Sequence, residues 1–138
     1  MMLAAFTTWA AGPEDEALAL TKKAVEFWKA NGKEKAVAAF SDPKGGFVAG
    51  SLYVFVNEFE GTTLAHGGNP KLVGKNMKDL KDADGKLFIQ EMAEVAKKGG
   101  GWVKYKWTNP ETKKIQDKAT YVQAIPEAGA YVGCGIYR

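Results

Sequence analysis

Residues 101–138 read GWVKYKWTNP ETKKIQDKAT YVQAIPEAGA YVGCGIYR, and this closing stretch decides the fold class. Three segments dense in aromatic and β-branched residues, Trp102 to Trp107, Ile115 to Ile125 and Ala130 to Tyr137, have the composition of strands. Between them stand Thr108-Asn109-Pro110 and Pro126-Glu127-Ala128-Gly129, whose Asn, Pro and Gly mark turns. Parallel neighbours would need a helical crossover between strands, which connections of this length do not supply. The three segments are therefore expected to form an antiparallel meander.

Working outward, Leu87 to Lys98 carries Phe88, Met92, Val95 and Ala96 at helical spacing and ends in Gly99-Gly100-Gly101, a helix stop. Before it, Gly67-Gly68-Asn69-Pro70 and the Asp-rich run from Asn76 to Lys86 predict a loop-rich lobe with short turns. Leu52 to Phe59 and Thr62 to His66, separated by Glu60-Gly61, read as a hairpin. Two helices open the domain: one from Pro13, with acids in its first turn and Leu20, Ala24, Phe27 and Trp28 at helical spacing, to Asn31-Gly32, and one from Lys33 to Phe40. This order predicts an α+β domain with an antiparallel sheet of about five strands, helices packed on a face and a loop-rich helical insert.

The bulk numbers agree with one globular domain: 138 residues, 46% hydrophobic, net charge +3 from 19 basic and 16 acidic side chains. The lysines are scattered rather than clustered, which argues against nucleic acid as a partner. A single cysteine, Cys134, excludes an internal disulfide and a cysteine metal cluster. Met1 to Phe6 is apolar and Trp9-Ala10-Ala11-Gly12 reads like the small-residue end of a secretory signal, so residues 1–12 are read as a signal remnant or a plain apolar arm, while 13–138 form the domain. No stretch approaches the roughly 20 apolar residues of a membrane-spanning helix. No metal or cofactor is expected. The Asp82-Ala83-Asp84-Gly85-Lys86 run opens like a calcium loop, yet Glu91 and Glu94 miss its twelfth position, so a turn is the better reading.

An ordered set of motifs carries a resemblance. Leu64-Ala65-His66, Asn69-Pro70-x-Leu72-x-Gly74-Lys75-Asn76, Asp82-x-Asp84-Gly85-Lys86-x-Phe88, Gly101-Trp102-Val103-x-Tyr105-x-Trp107, Lys118-x-x-Tyr121-Val122 and Gly133-x-Gly135-Ile136-Tyr137 follow one another as in the single Cache domains. These are PAS-like extracytoplasmic input domains of bacterial chemoreceptors and sensor kinases. One departure is the loop after His66, where the family tends to place proline at once. The resemblance implies a periplasmic or otherwise extracytoplasmic ligand-binding domain that senses a small organic ligand, most often a short-chain carboxylate, between the sheet and the loop-rich lobe. It also implies that the domain is not an enzyme. A homodimer through the N-terminal helix is a further expectation.

The candidate ligand-binding residues are His66, Tyr53, Phe55, Tyr105, Trp107, Lys118 and Tyr121. His66, the only histidine, offers a ring N–H to a carboxylate or takes charge near neutral pH, unless it merely bonds a backbone carbonyl. Alternation puts Val103, Tyr105 and Trp107 on one strand face and Trp102, Lys104 and Lys106 on the other, so the aromatic pair is expected inward as pocket wall or plain core. Tyr53 and Phe55 pose the same choice. Lys118 is the natural counter-charge for an anion and Tyr121 a hydroxyl donor, but positions three apart face opposite sides of a strand unless a bulge intervenes. Two rival readings stand beside this one: a small hydrolase-like enzyme with His66 as base and Cys134 or Tyr121 as partner, and a pure protein-interaction module. No hydrolase, metalloprotease, phosphate-loop or dinucleotide motif supports the first. Cys134, between Gly133 and Gly135, reads as a buried, inert thiol whose flanking glycines allow a close approach.

Overall fold

The computed structural model describes residues 12–138. The segment read as a signal remnant or apolar arm lies, but for Gly12, outside the described residues. Helices α1 (Pro13–Asn31) and α2 (Lys33–Ser41) lead into strands β1 (Val48–Ala49), β2 (Leu52–Glu58) and β3 (Thr63–His66). After the lobe come α3 (Phe88–Lys97), β4 (Gly101–Thr108), β5 (Ile115–Ile125) and β6 (Ala130–Tyr137). No helix among the described residues is long and apolar enough to cross a membrane.

The sheet runs β1-β2-β6-β5-β4, with β3 also on β2, and every pairing is antiparallel. The expected meander is present. Its count rises to six strands because the two-residue β1 folds back on β2 at Val48 and Tyr53. The chain closes on itself through β2 and β6, where Val54 pairs with Cys134 and Phe55 with Gly133. The loop-rich lobe holds one short turn of 3-10 helix, Pro70–Leu72, capped by the Asn69 side chain accepting from the Lys71 N–H.

Helices cover both faces of the sheet rather than one. On the first face α1 and α2 bury Trp28, Phe40 and Phe47 against Val54, Val56, Val132 and Ile136. On the second, α3 and the lobe bury Phe88, Met92 and Met77 against Tyr53, Phe55, Val103, Tyr105 and Tyr131. Alternation along β2 explains the split, since Val54 and Val56 point one way and Tyr53, Phe55 and Asn57 the other. The sheet is thus buried on both sides, and at about 25 cal/mol per Å² of apolar area each face contributes heavily to stability. Helix α1 spends its apolar side on β5 and β6 and leaves Lys22, Glu26 and Lys29 exposed. A homodimer through α1 would therefore rest on charge more than on apolar burial.

The Asp82 run forms a turn, as its spacing predicts. The Asp82 carboxylate accepts from the backbone N–H groups of Asp84, Lys86 and Lys106 at 3.0, 2.9 and 2.9 Å, clasping the lobe to β4. Burial is the largest single influence and raises its carboxyl, but the three backbone hydrogen bonds and the Lys86 charge together outweigh it and hold the group below the usual carboxylate range.

Candidate functional site

On the lobe side of the sheet, side chains from five strands and α3 converge. β2 supplies Tyr53 and Phe55, β3 His66, β4 Tyr105 and Trp107, β5 Lys118, β6 Tyr137, and α3 Phe88. Lys118 is 2% exposed. Its Nζ lies 4.2, 4.9, 5.7 and 5.8 Å from the ring centroids of Tyr53, Tyr137, Phe55 and Tyr105, an aromatic cage whose π faces attract the cation. One hydrogen bond holds the ammonium: Nζ donates to Tyr53 Oη at 2.8 Å. Tyr53 and Tyr137 place their hydroxyl oxygens 3.3 Å apart, and Tyr137 donates to the Thr108 carbonyl at 2.9 Å. With the Tyr137 proton committed there, the chain runs Lys118 to Tyr53 to Tyr137 to backbone. No carboxylate among the described residues pairs with Lys118. Burial accordingly lowers its pKa to about 7. Burial acts in the opposite sense on the phenols, pushing Tyr137 up to about 12 and Tyr53 and Tyr105 well above the ordinary value.

His66 is also buried, its ring 5.0 Å from Tyr53 and stacked on Phe55 at 5.7 Å. Nδ1 accepts the Asn69 N–H at 2.8 Å, which fixes the neutral ring with its proton on Nε2. Among the described residues nothing accepts that proton. Burial first, and the Lys118 charge second, lower the histidine to about 3. The sequence reading left charging near neutral pH open; inside this apolar stack the ring stays neutral and carries an N–H on Nε2. The alternative in which His66 merely bonds a backbone carbonyl is not what the turn does, since the loop gives His66 an N–H to accept.

Beside His66 lies a cavity with room for one water molecule, about 20 Å³, walled by Phe55, Trp107, Phe88, Met77 and Met92 and edged by Asn57 and Thr63. Phe55 and Tyr105 line it on one side and cage Lys118 on the other, so these rings partition cavity from cation. Tyr105 stacks on Phe88 with centroids 4.6 Å apart and bonds Thr120 Oγ1 at 3.0 Å, which holds its side of the partition.

Glycines make the cluster possible. A Cβ on Gly133 would stand 2.4 Å from Phe55 Cζ, and one on Gly135 would stand 2.2 Å from Thr120 Oγ1 and 2.8 Å from both Lys118 Cε and the Ala119 carbonyl oxygen. The close approach read from Gly133-Cys134-Gly135 is real, and what approaches is the Phe55 ring and the Lys118 stem. Cys134 points to the other face, into the helix-side core, with burial driving its thiol up to about 12. Sheet and thiol pKa together remove the His66–Cys134 pair that a hydrolase reading needs.

Tyr121 is a correction. The register of β5 against β4 and β6 is unbroken from Lys118 to Val122, so no bulge brings Tyr121 round to the Lys118 side. It is half-buried on the opposite face, edge-on to Trp102 with centroids 5.5 Å apart. The sequence reading missed Tyr137, Phe88 and Asn57. Strand parity carried a signal for two of them: Asn57 shares a face with Tyr53 and Phe55, and Tyr137 with Gly133 and Gly135.

Comparison with known proteins places this architecture. Residues 21–138 match the family "Single Cache domain 2". The chain belongs to that family. This Cache domain is 38% identical over 85 residues to the sensor histidine kinase MctS of Rhizobium johnstonii and 29% identical over 86 residues to the methyl-accepting chemotaxis protein McpP of Pseudomonas putida. Each alignment covers 62% of this chain but only 18% and 16% of those proteins. Among solved structures it is similar to a chemotaxis protein from Vibrio parahaemolyticus (TM-score 0.80, 24% identity, 90% of this chain and 87% of that one). A periplasmic sensor domain of a chemotaxis protein aligns at TM-score 0.71 with 26% identity over 89% and 88% of the two chains. A Cache chemosensory domain described for carboxylic acid recognition aligns at TM-score 0.70 with 26% identity over 86% and 84%. Cache domains of such receptors and kinases are extracytoplasmic sensing domains without catalysis of their own.

Proposed function

We propose that this Cache domain is the input domain of an extracytoplasmic sensor and binds a small carboxylate at the Lys118–His66 cluster. The observation that carries the reading is the buried ammonium of Lys118, caged by four aromatic rings and paired with no acid among the described residues. An uncompensated buried charge is costly, and an anionic ligand offsets that cost by supplying the missing partner. A carboxylate entering from the cavity meets the Nε2–H of His66, parts Phe55 from Tyr105 and takes its place beside Lys118 and the Tyr53 hydroxyl. Trp107 and Phe55 then shield it from water, where charge-assisted hydrogen bonds are strongest. The carboxylic acid recognition described for a structural relative at 26% identity supports the same ligand class.

Thermal unfolding in the presence of two- to four-carbon carboxylates tests the proposal, with the matching primary amides as neutral controls. Carboxylates raise the midpoint in proportion to the logarithm of concentration and the amides do not. A flat response to every carboxylate, together with unchanged behaviour of His66→Ala, sinks the idea.

Binding should also depend on pH with a definite sign. The free protein holds Lys118 near 7, and a bound anion favours the protonated amine, so complex formation above pH 7 takes up a proton. Affinity is therefore level below pH 7 and falls about tenfold per unit above it, until the raised pKa of the complex is passed. Calorimetric titrations in buffers of different ionisation enthalpy read the proton uptake directly. Affinity that is constant from pH 6 to 9 contradicts the role given to Lys118.

A further inference from the structure

Asn57 lines the same cavity as the partitioning rings. It follows Tyr53 and Phe55 on the same face of β2, is 2% exposed and lines the cavity together with Thr63, its cross-strand partner, and His66. Its Nδ2 donates to Tyr131 Oη at 3.1 Å, and Tyr131 in turn gives its proton toward the Ile89 carbonyl at 3.5 Å. That leaves Oδ1, the one buried side-chain polar atom without a hydrogen-bond partner among the described residues. A buried acceptor left unpaired costs about 1–3 kcal/mol, and native proteins retain few of them. The cavity thus has two polar poles of opposite kind: a donor on His66 Nε2 and an acceptor on Asn57 Oδ1. Apart from the Thr63 hydroxyl, the wall between them is formed mainly by the apolar and aromatic side chains of Phe55, Met77, Phe88, Met92 and Trp107.

We propose that Asn57 is a specificity-determining residue, and that the preferred ligand is a short hydroxycarboxylate whose carboxylate faces His66 and Lys118 while its hydroxyl donates to Asn57 Oδ1. This rests on the carboxylate reading above and adds to it the chemistry of the ligand's other end. A neutral hydroxyl suits the site better than an ammonium, because no carboxylate lines the cavity and the Lys118 cation stands behind its wall. The spacing agrees as well. His66 pairs with Phe55, and Asn57 lies two residues further along β2, about 7 Å of strand. A carboxylate and a hydroxyl one or two carbons away, each with its hydrogen bond, span that interval.

The test compares propionate, 2-hydroxypropionate, 3-hydroxypropionate and 2-oxopropionate by calorimetry on the wild-type protein and on Asn57→Leu, which keeps the branched side-chain shape and removes the amide. In the wild type at least one hydroxy acid binds about tenfold tighter than propionate, because an unsatisfied buried acceptor rejects the analogue that lacks the donor. Asn57→Leu loses that preference while its propionate affinity stays within about threefold. Equal wild-type affinity for propionate and both hydroxy acids overturns the inference and leaves the carboxylate reading standing, with water as the occupant facing Asn57. Tighter binding of the oxo acid than of either hydroxy acid overturns it too, since Asn57 would then present its N–H to the cavity. If none of the four binds, both proposals fall. Should the leucine variant not fold, the wild-type affinity ratios decide alone.

Discussion

Lys118→Met binds no carboxylate in the concentration range that saturates the wild type, and its ligand-free form is the more stable protein. Both halves follow from one fact, the burial of an ammonium group with a single neutral hydrogen-bond partner. Methionine is close in length and apolar, fills the cage, and makes favourable contacts with aromatic edges. Replacing buried ionic groups by apolar ones of similar volume is often stabilising by about 1–4 kcal/mol, and here there is no partner charge left behind to penalise the exchange. Removing the cation from the bound complex costs about 2–4 kcal/mol of binding free energy, roughly 30- to 1000-fold in Kd. Urea unfolding and calorimetry on the same preparation measure the two effects.

The pH dependence of stability separates this account from simple repacking. An unfolded lysine titrates at its ordinary 10.5 while the folded one titrates near 7, so between these values the unfolded chain binds more protons and stability rises with pH. Below pH 7 the burial cost is present in full. Cys134 acts in the opposite direction once its unfolded thiol titrates at 9, so the clean window is pH 7 to 9. Wild-type stability climbs across that window and Lys118→Met stays level. A methionine variant that is less stable than the wild type at pH 6, or that keeps the slope, shows that Lys118 is not the strained group.

Gly135→Ala gives the largest loss of stability and binding together. The added methyl group meets Thr120 Oγ1, Lys118 Cε and the Ala119 carbonyl oxygen, all closer than 3 Å, and the last of these is backbone. Strand β5 must shift against β6, and the shift passes straight to Lys118. Overpacking of this kind costs about 1–3 kcal/mol. Carboxylate binding weakens far more than stability does, because charge and cage move out of register. The three atoms nearest a methyl group at Gly133 all belong to the Phe55 ring, a side chain that borders the cavity. Gly133→Ala should cost less stability while still disturbing the stacking of Phe55 on His66. Equal stabilities for Gly135→Ala and wild type contradict the packing described for β5 and β6.

Much of this could be read from the residues. Alternation on β4 placed Tyr105 inward and Lys104 outward, and the conflict it exposed between Lys118 and Tyr121 was genuine, settled by an unbroken ladder that keeps them on opposite faces. Two things were out of reach. The pairing of β2 with β6 joins residues such as Val54 and Cys134, far apart in sequence, and local pattern holds no information on it. The state of His66 depends on the Gly67-Gly68 turn delivering the Asn69 N–H to Nδ1, a geometry that residue type does not encode. Asn57 and Tyr137 failed for another reason: their faces were legible, but an amide beside aromatics looks like a strand residue until its unpaired oxygen is seen.

The closed partition between cavity and cation bears on speed as well as affinity. A space for one water molecule admits no three-carbon acid, so on the proposed route through this cavity Phe55 and Tyr105 swing apart before the ligand reaches Lys118. Tyr105 is held by its stack on Phe88 and its bond to Thr120, which makes that opening an event in its own right. Observed association rates should then level off at high ligand concentration, at the frequency with which the rings part. The plateau is a clock intrinsic to the domain, common to every ligand it accepts, and it limits how quickly a receptor built on this module registers a change in its surroundings.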